Sequence, residues 1–251
     1  VSTAVPTTTA WLRRFHPADP GHRRLVCFPH AGGSASFYHP VSARFSPDVE
    51  VLAIQYPGRQ DRRHEPCVDD LRTLATMIAD ELRALPPKPT VYFGHSMGAA
   101  LAFETAWLLD GESAGPRALV ASGWRAPSDG RDDGVHRRDD DGLLADVRAL
   151  GGTGTAVLAD EEIIRMALPA IRADYRAIET YSARRDQVLS CPVTTLIGDA
   201  DTKVDRVAAG GWVAHTTADF RMRVFPGGHF YLTQHQAEVC AEVATALTEH
   251  C

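Results

Sequence analysis

Val91-Tyr92-Phe93-Gly94-His95-Ser96-Met97-Gly98-Ala99 runs from three apolar residues through a Gly-x-Ser-x-Gly pentapeptide into an apolar stretch that lasts to Leu109. That order predicts a strand, a sharp turn and a helix. A serine at such a turn sits on strained backbone with its hydroxyl exposed, and a β-carbon on either flanking residue would crowd it, so glycine is required on both sides. The following helix then aims its N-terminus at the hydroxyl. Other short β-rich runs occur at residues 24–28, 49–55, 119–121, 193–197 and 221–225. Their alternation with helical patterns predicts an α/β class fold, a doubly wound and mostly parallel sheet.

The chain has 251 residues, 44% apolar and 23% charged, with 26 basic against 32 acidic side chains and a formal charge of −6. This is the profile of one globular domain, residues 1–251, large enough to bury a core without metal or disulfides. The acidic balance, and the lack of any Lys/Arg block longer than two, argue against nucleic-acid binding. The longest mostly apolar run, 97–109, is too short for a bilayer span and carries Glu104, so no membrane is expected. Residues 1–9 show no basic region followed by an apolar core, so the expected location is cytoplasmic. Five scattered cysteines (Cys27, Cys67, Cys191, Cys240, Cys251) have neither Cys-x-x-Cys nor metal-ligand spacing and read as reduced thiols.

Apolar Val68, Leu71, Leu74, Ile78, Leu82 and Leu85 recur at steps of three and four, which predicts a helix ended by Pro86-Pro87. Leu232, Val239, Val243 and Leu247 mark a final amphipathic helix. The stretch 125–187 has no strand candidate and is expected to be a helical lid insertion over the sheet's C-terminal edge. Its charged run 128–142 is expected to be either a mobile part of that lid or a solvated loop.

A serine needs a base, itself oriented by an acid, and in this kind of sheet the chain order is serine, acid, histidine. Residues 193–197 lead into Gly198-Asp199-Ala200-Asp201, and 221–225 lead into Pro226-Gly227-Gly228-His229. His229 fits as base for Ser96. His215 lies before the last strand and His235 is expected inside the last helix, so both fit less well. Asp199 and Asp201 share one loop, and local reasoning leaves either as the acid. An oxyanion requires two amide donors. Met97 supplies the first, and Ala31, in Phe28-Pro29-His30-Ala31-Gly32-Gly33-Ser34, the second; the alternative for Gly32-Gly33 is a tight turn capped by Ser34. Gly151-Gly152-Thr153-Gly154 follows no strand and lacks a Lys-Ser/Thr ending, so no nucleotide cofactor is expected. The histidines show no ligand spacing, so no metal is expected.

The sequence resembles type II thioesterases, the stand-alone α/β-hydrolases that accompany polyketide and nonribosomal peptide synthases. The likeness rests on Phe28-Pro29-His30-Ala31-Gly32-Gly33, Tyr56-Pro57-Gly58-Arg59, Phe93-Gly94-His95-Ser96-Met97-Gly98-Ala99, Phe103-Glu104, Arg172-Ala173-Asp174-Tyr175 with Glu179 and Tyr181, Gly198-Asp199-Ala200-Asp201, and Gly227-Gly228-His229-Phe230. It implies an α/β-hydrolase fold, and it puts the acid at the end of the Gly-x-x-Asp segment, on Asp201. Gln60 and Thr202 depart from the family's usual Glu and Pro. The implied reaction is hydrolysis of acyl groups from the phosphopantetheine arm of acyl or peptidyl carrier protein domains, editing stalled or misprimed synthases without any cofactor of the enzyme's own. A monomer is implied. Arg165, Arg172, Arg176, Arg184 and Arg185 then make either a carrier-docking patch or a solvated lid surface. The competing readings are a small-molecule esterase, an acyltransferase, or a catalytically dead binding protein on the same fold.

Overall fold

The computed structural model describes residues 9–19, 23–151 and 161–251, the side chains of residues 161 and 162 excepted. The leader reading of residues 1–8 and the Gly152-Thr153-Gly154 part of the glycine run lie outside the described residues. Among the described residues seven strands form one sheet: β1 (Leu12–Arg13), β2 (Arg24–Phe28), β3 (Glu50–Ile54), β4 (Thr90–His95), β5 (Ala118–Ser122), β6 (Val193–Gly198) and β7 (Phe220–Phe225). Their order is β1-β3-β2-β4-β5-β6-β7, parallel throughout except for the antiparallel β1. The helices are α1 (His39–Phe45), α2 (Leu71–Arg83), α3 (Met97–Leu108), α4 (Asp140–Leu150), α5 (Glu161–Glu179), α6 (Arg206–Gly210), α7 (Tyr231–Gln234) and α8 (Gln236–His250).

Strands β2 to β6 are buried at every position, so they read as continuous apolar runs rather than alternations. Alternate residues nonetheless serve opposite faces. Val26, Phe28, Leu52, Ile54, Tyr92 and Leu119 join the core under α2 and α3, whereas Leu25, Cys27, Val51, Ala53, Val91 and Val120 join the core under α1 and α8. The predicted stripe of α2 is buried from Leu71 to Leu82, and the helix starts at Leu71 because the Asp70 carboxylate accepts the Thr73 amide at 2.7 Å.

Two features differ from the sequence reading. The two-residue β1 carries no periodicity to find and pairs Leu12 with Ile54 at the sheet edge. The single final helix is two. Tyr231 is drawn inward, its ring stacked on Phe225 at 5.1 Å. The chain therefore turns at His235, between α7 and α8, before Val239, Val243 and Leu247 can lie on the sheet.

Between β5 and β6, among the described residues, come a 3-10 turn (Val135–Arg137), α4 and α5. Val135, Leu143, Leu144, Val147, Ile164, Leu168, Ile171 and Tyr175 give this insertion a small core of its own, against which Ala31 packs. Its C-terminal end is tied to α3, where the buried Glu104 accepts the Tyr181 hydroxyl at 2.7 Å. The charged run is pinned as well: the Val135 and His136 amides donate to Glu179 at 3.0 and 2.9 Å. Arg172 donates to the His136 and Arg138 carbonyls and pairs with Asp140 at 2.6 Å. Arg176 pairs with Asp69 and Arg184 with Asp186, so much of the arginine cluster is neutralised locally. Among the described residues no helix is long and apolar enough to cross a membrane.

Candidate active site

Ser96 stands between β4 and α3 with φ 56° and ψ −122°, a region that side-chain-bearing residues rarely occupy. Its amide donates to the Ser122 carbonyl at 2.8 Å, which ties the turn to β5. A β-carbon on Gly94 would lie 2.1 Å from the Gly98 carbonyl oxygen, and one on Gly98 would lie 2.0 Å from that of Phe28. Both glycines are therefore steric requirements of the turn.

The other two loops meet Ser96 over the same edge. His229 Nε2 is 3.0 Å from Ser96 Oγ, and His229 Nδ1 is 2.8 Å from Asp201 Oδ2. With the ring proton on Nδ1, Asp201 accepts it and Nε2 faces the hydroxyl. Asp201 Oδ1 accepts the amides of Lys203 (2.8 Å) and Val204 (3.3 Å), so the acid is held on both oxygens. Asp199 is not at the imidazole: its Oδ1 accepts the Gly227 amide at 2.9 Å, bracing the loop that carries His229. His215 is committed elsewhere, to Ser128 and the Gln187 carbonyl, and His235 lies at the α7–α8 turn.

Met97 is the first residue of α3, where an amide has no acceptor inside the helix. In the loop after β2 the amides of Gly32 and Gly33 are taken, by Asp174 Oδ2 at 2.7 Å and the His30 carbonyl at 2.9 Å. Ala31 lines the cavity that holds Ser96 and His229. Gly32, at φ +73°, makes the bend, and a β-carbon there would lie 2.9 Å from Ile171.

Asp174 and Arg59, which the sequence marks only as motif members, hold the loop that carries Ala31. Asp174 is fully buried and binds Arg59 through both oxygens, at 2.6 and 2.8 Å. Arg59 also donates to the Gly33 carbonyl at 3.1 Å. Burial opposes the charge of Arg59, and the Asp174 carboxylate more than offsets it, leaving the guanidinium pKa raised. Despite Gln60, this loop reaches the one that carries Ala31.

Two further imidazoles crowd His229. The His95 ring lies 5.1 Å from that of His229, and His30 lies 6.1 Å from His95. Burial, then repulsion from His229, holds His95 far below the usual histidine range and His30 down at about 3. Both are neutral at physiological pH. His95 Nδ1 is 2.9 Å from Ser122 Oγ, which is 2.6 Å from the Tyr231 hydroxyl, itself kept protonated by burial. The cavity over Ser96 has an apolar wall that includes Trp124, Val147, Leu150 and Ile178. At the edge of this cavity, which Glu179 lines, Asp132, His136 and Glu179 bring potential ligand atoms within 4.8 Å of one another. Those atoms are engaged by Arg137, by the Gly134 amide and by each other.

The sheet order, the serine turn and the loops gathered at the strand ends are those of an α/β-hydrolase. The thioesterase-domain family model matches residues 23–247. The chain is 60% identical over 247 residues to a probable cadicidin biosynthesis thioesterase of Streptomyces griseus, covering 98% of this chain and 68% of that one. It is 45% identical over 239 residues to thioesterase PikA5 of Streptomyces venezuelae, covering 94% and 85%. Among solved structures it is similar to the type II thioesterase BorB from the borrelidin biosynthetic cluster, with TM-score 0.90, 47% identity and coverage of 96% and 98%. The chain belongs to the thioesterase family, as a type II thioesterase of polyketide and nonribosomal peptide clusters.

Proposed function

We propose that this type II thioesterase, an editor of synthase carrier proteins, works through Ser96 as nucleophile, His229 as base and Asp201 as orienting acid. Ser96 Oγ attacks the thioester carbonyl of an acyl group on a phosphopantetheine arm, while His229 Nε2 takes the hydroxyl proton. Asp201 fixes the Nδ1–H tautomer and stabilises the imidazolium. The amides of Met97 and Ala31 receive the oxyanion. Collapse breaks the C–S bond, and His229 returns the proton to the departing thiol. Water, deprotonated by the same ring, then attacks the acyl-serine, releasing a free acid and restoring Ser96. Residues 125–187 act as the lid of the chamber. The enzyme acts as a cytoplasmic monomer on acyl or peptidyl carrier domains.

The observation that carries this reading is the hydrogen-bonded line from Ser96 Oγ through His229 to Asp201. Its test is mass spectrometry of carrier domains loaded with different acyl groups. The wild type should unload them and Ser96→Ala should not, and carrier-bound acyl groups should be preferred over simple esters of the same acid. Unloading by Ser96→Ala at the wild-type rate would remove the nucleophile assignment, and a preference for simple esters would favour an esterase.

A further inference from the structure

Helix α5 has two apolar stripes. Ile164, Leu168, Ile171 and Tyr175 are buried in the core of the insertion. Ile163, Met166, Ala167 and Ala170, spaced as one face of a helix, run instead along a second groove beside the chamber over Ser96, where Met166 is 64% exposed. The opposite wall is the loop after β2, at Gly33, Ser34 and Phe37, together with Gln60 and Arg63. His30 borders both the groove and the chamber. Its ring lies edge-on to Phe37, which lines the groove, and to Phe230, which lines the chamber, at 4.7 and 4.9 Å. Its nitrogens lie over Gly33, where a β-carbon would come within 3.0 Å of both, and Nδ1 is buried with no hydrogen-bond partner among the described residues.

Among the described residues no carboxylate lines this groove, and two arginines do. Arg59 is held by Asp174. Arg63 is exposed, donates to the Gln60 carbonyl at 3.3 Å and forms no ion pair among the described residues. The acids beside it in the chain, Asp61 and Glu65, are paired with Arg13 and Arg62. Gln60 is neutral and, with Ser96, one of two non-glycine residues at positive φ among the described residues; its Nε2 donates to Ser34 Oγ and Ser36 Oγ at 2.8 and 3.0 Å. Such backbone persists where its surroundings hold it, so the wall beside Arg63 keeps one shape. The groove therefore runs from an exposed cation, past an apolar stripe, to a buried imidazole with a hydrogen bond to spare. We propose that it receives the pantetheine arm of the carrier and that Arg63 takes the arm's phosphate. The amide next to the sulfur meets the nitrogen edge of His30, the dimethyl-substituted carbon lies on Ile163 and Met166, and the sulfur passes Phe230 to reach Ser96. A guanidinium fork suits phosphate oxygens, and because Arg63 is exposed the attraction is modest and salt-sensitive. This rests on Ser96 being the nucleophile.

The test places one acyl group on three thiols: N-acetylcysteamine, which ends at the first amide, pantetheine, which includes the dimethyl-substituted carbon, and phosphopantetheine. At low salt the wild type should prefer pantetheine to N-acetylcysteamine at least tenfold in kcat/KM, and phosphopantetheine to pantetheine at least threefold, the second preference fading as salt rises. Arg63→Gln should erase the phosphate preference, and Met166→Asp, at an exposed position, should cut the preference for pantetheine at least threefold. Equal rates on all three thioesters, or a phosphate preference that survives Arg63→Gln, would overturn the proposal. A second measurement does not depend on hydrolysis: in Ser96→Ala, titration with S-methyl phosphopantetheine should shift the backbone amide signals of Gly33, Gln60 and Met166, and shifts confined to other parts of the protein would overturn the proposal too. Failure to cleave any of the thioesters, with those shifts present, would instead count against the catalytic reading itself.

Discussion

Asp174 and Arg59, 115 residues apart, form a two-pronged ion pair whose carboxylate also holds the Gly32 amide at 2.7 Å. One buried group thus joins α5, the Tyr56-Pro57-Gly58-Arg59 loop and the loop that presents Ala31. Asp174→Asn keeps the shape and removes the charge. Breaking one side of a buried pair costs about 3–5 kcal/mol. Because the Gly32 amide loses its anionic acceptor, the neighbouring Ala31 amide, the proposed second oxyanion donor, loses its aim, and kcat should fall on the order of 10–100-fold, less than for outright loss of an oxyanion donor. KM should move little. Steady-state kinetics with a thermal melt decide: an unchanged kcat in a folded variant would mean that the loop holds its geometry without the pair.

Asp199 and Asp201 are separated by one residue and do different work. Asp201→Asn replaces the acceptor for His229 Nδ1–H and favours the wrong tautomer, so kcat should fall by about 10⁴. Asp199→Asn retains an oxygen for the Gly227 amide, so the expected loss is under about tenfold, that of one loop hydrogen bond. Single-turnover acylation rates of the two variants check the contrast, and comparable losses would exchange or merge their roles.

The loops that meet over Ser96 are legible because each is short, local and marked by residues with steric duties. Gly94 and Gly98 are fixed by clashes with backbone oxygens a turn away or on β2, and a pentapeptide can display such a constraint. Which of Asp199 and Asp201 lies at His229 is not legible from local spacing, since it depends on where β7 delivers His229, and only the family likeness points to Asp201. Asp174 and Arg59 escaped a role because their meaning is a contact across 115 residues. Likewise the break at His235 follows from Tyr231 being drawn toward Ser122, a tertiary pull that the periodicity of Leu232, Val239 and Val243 does not contain.

Glu104 lies in a helix that is buried over most of its length, and it is accepted there because Tyr181 and Gln187 reach it from the end of the insertion. Tyr181→Phe keeps the packing and removes the 2.7 Å hydrogen bond. The expected loss is about 1.5–3 kcal/mol, the range for a bond to a charged group. Amide exchange should also quicken in α5 relative to β4 and β5. Uniform acceleration across the sheet would show that the bond supports the whole core rather than the attachment of the insertion.

His30 ends in a pH dependence of stability. Its ring lies against Phe37 and Phe230 at 4.7 and 4.9 Å and stays neutral down to about 3, whereas in the unfolded chain it takes a proton near 6.5. Between those values the unfolded state binds more protons, so stability rises with pH and is lost as pH falls through 6.5 toward 3. Each such histidine contributes a slope of about 1.4 kcal/mol per pH unit in that window, and His95, lowered for the same reason, adds a second. Urea unfolding at several pH values from 4.5 to 7.5 should show the decline, and His30→Asn should remove about one histidine's share of the slope whatever its effect on absolute stability. An identical slope in wild type and variant would mean that His30 takes up its proton within the folded protein, and that the cluster behind His229 is wetter than its burial implies.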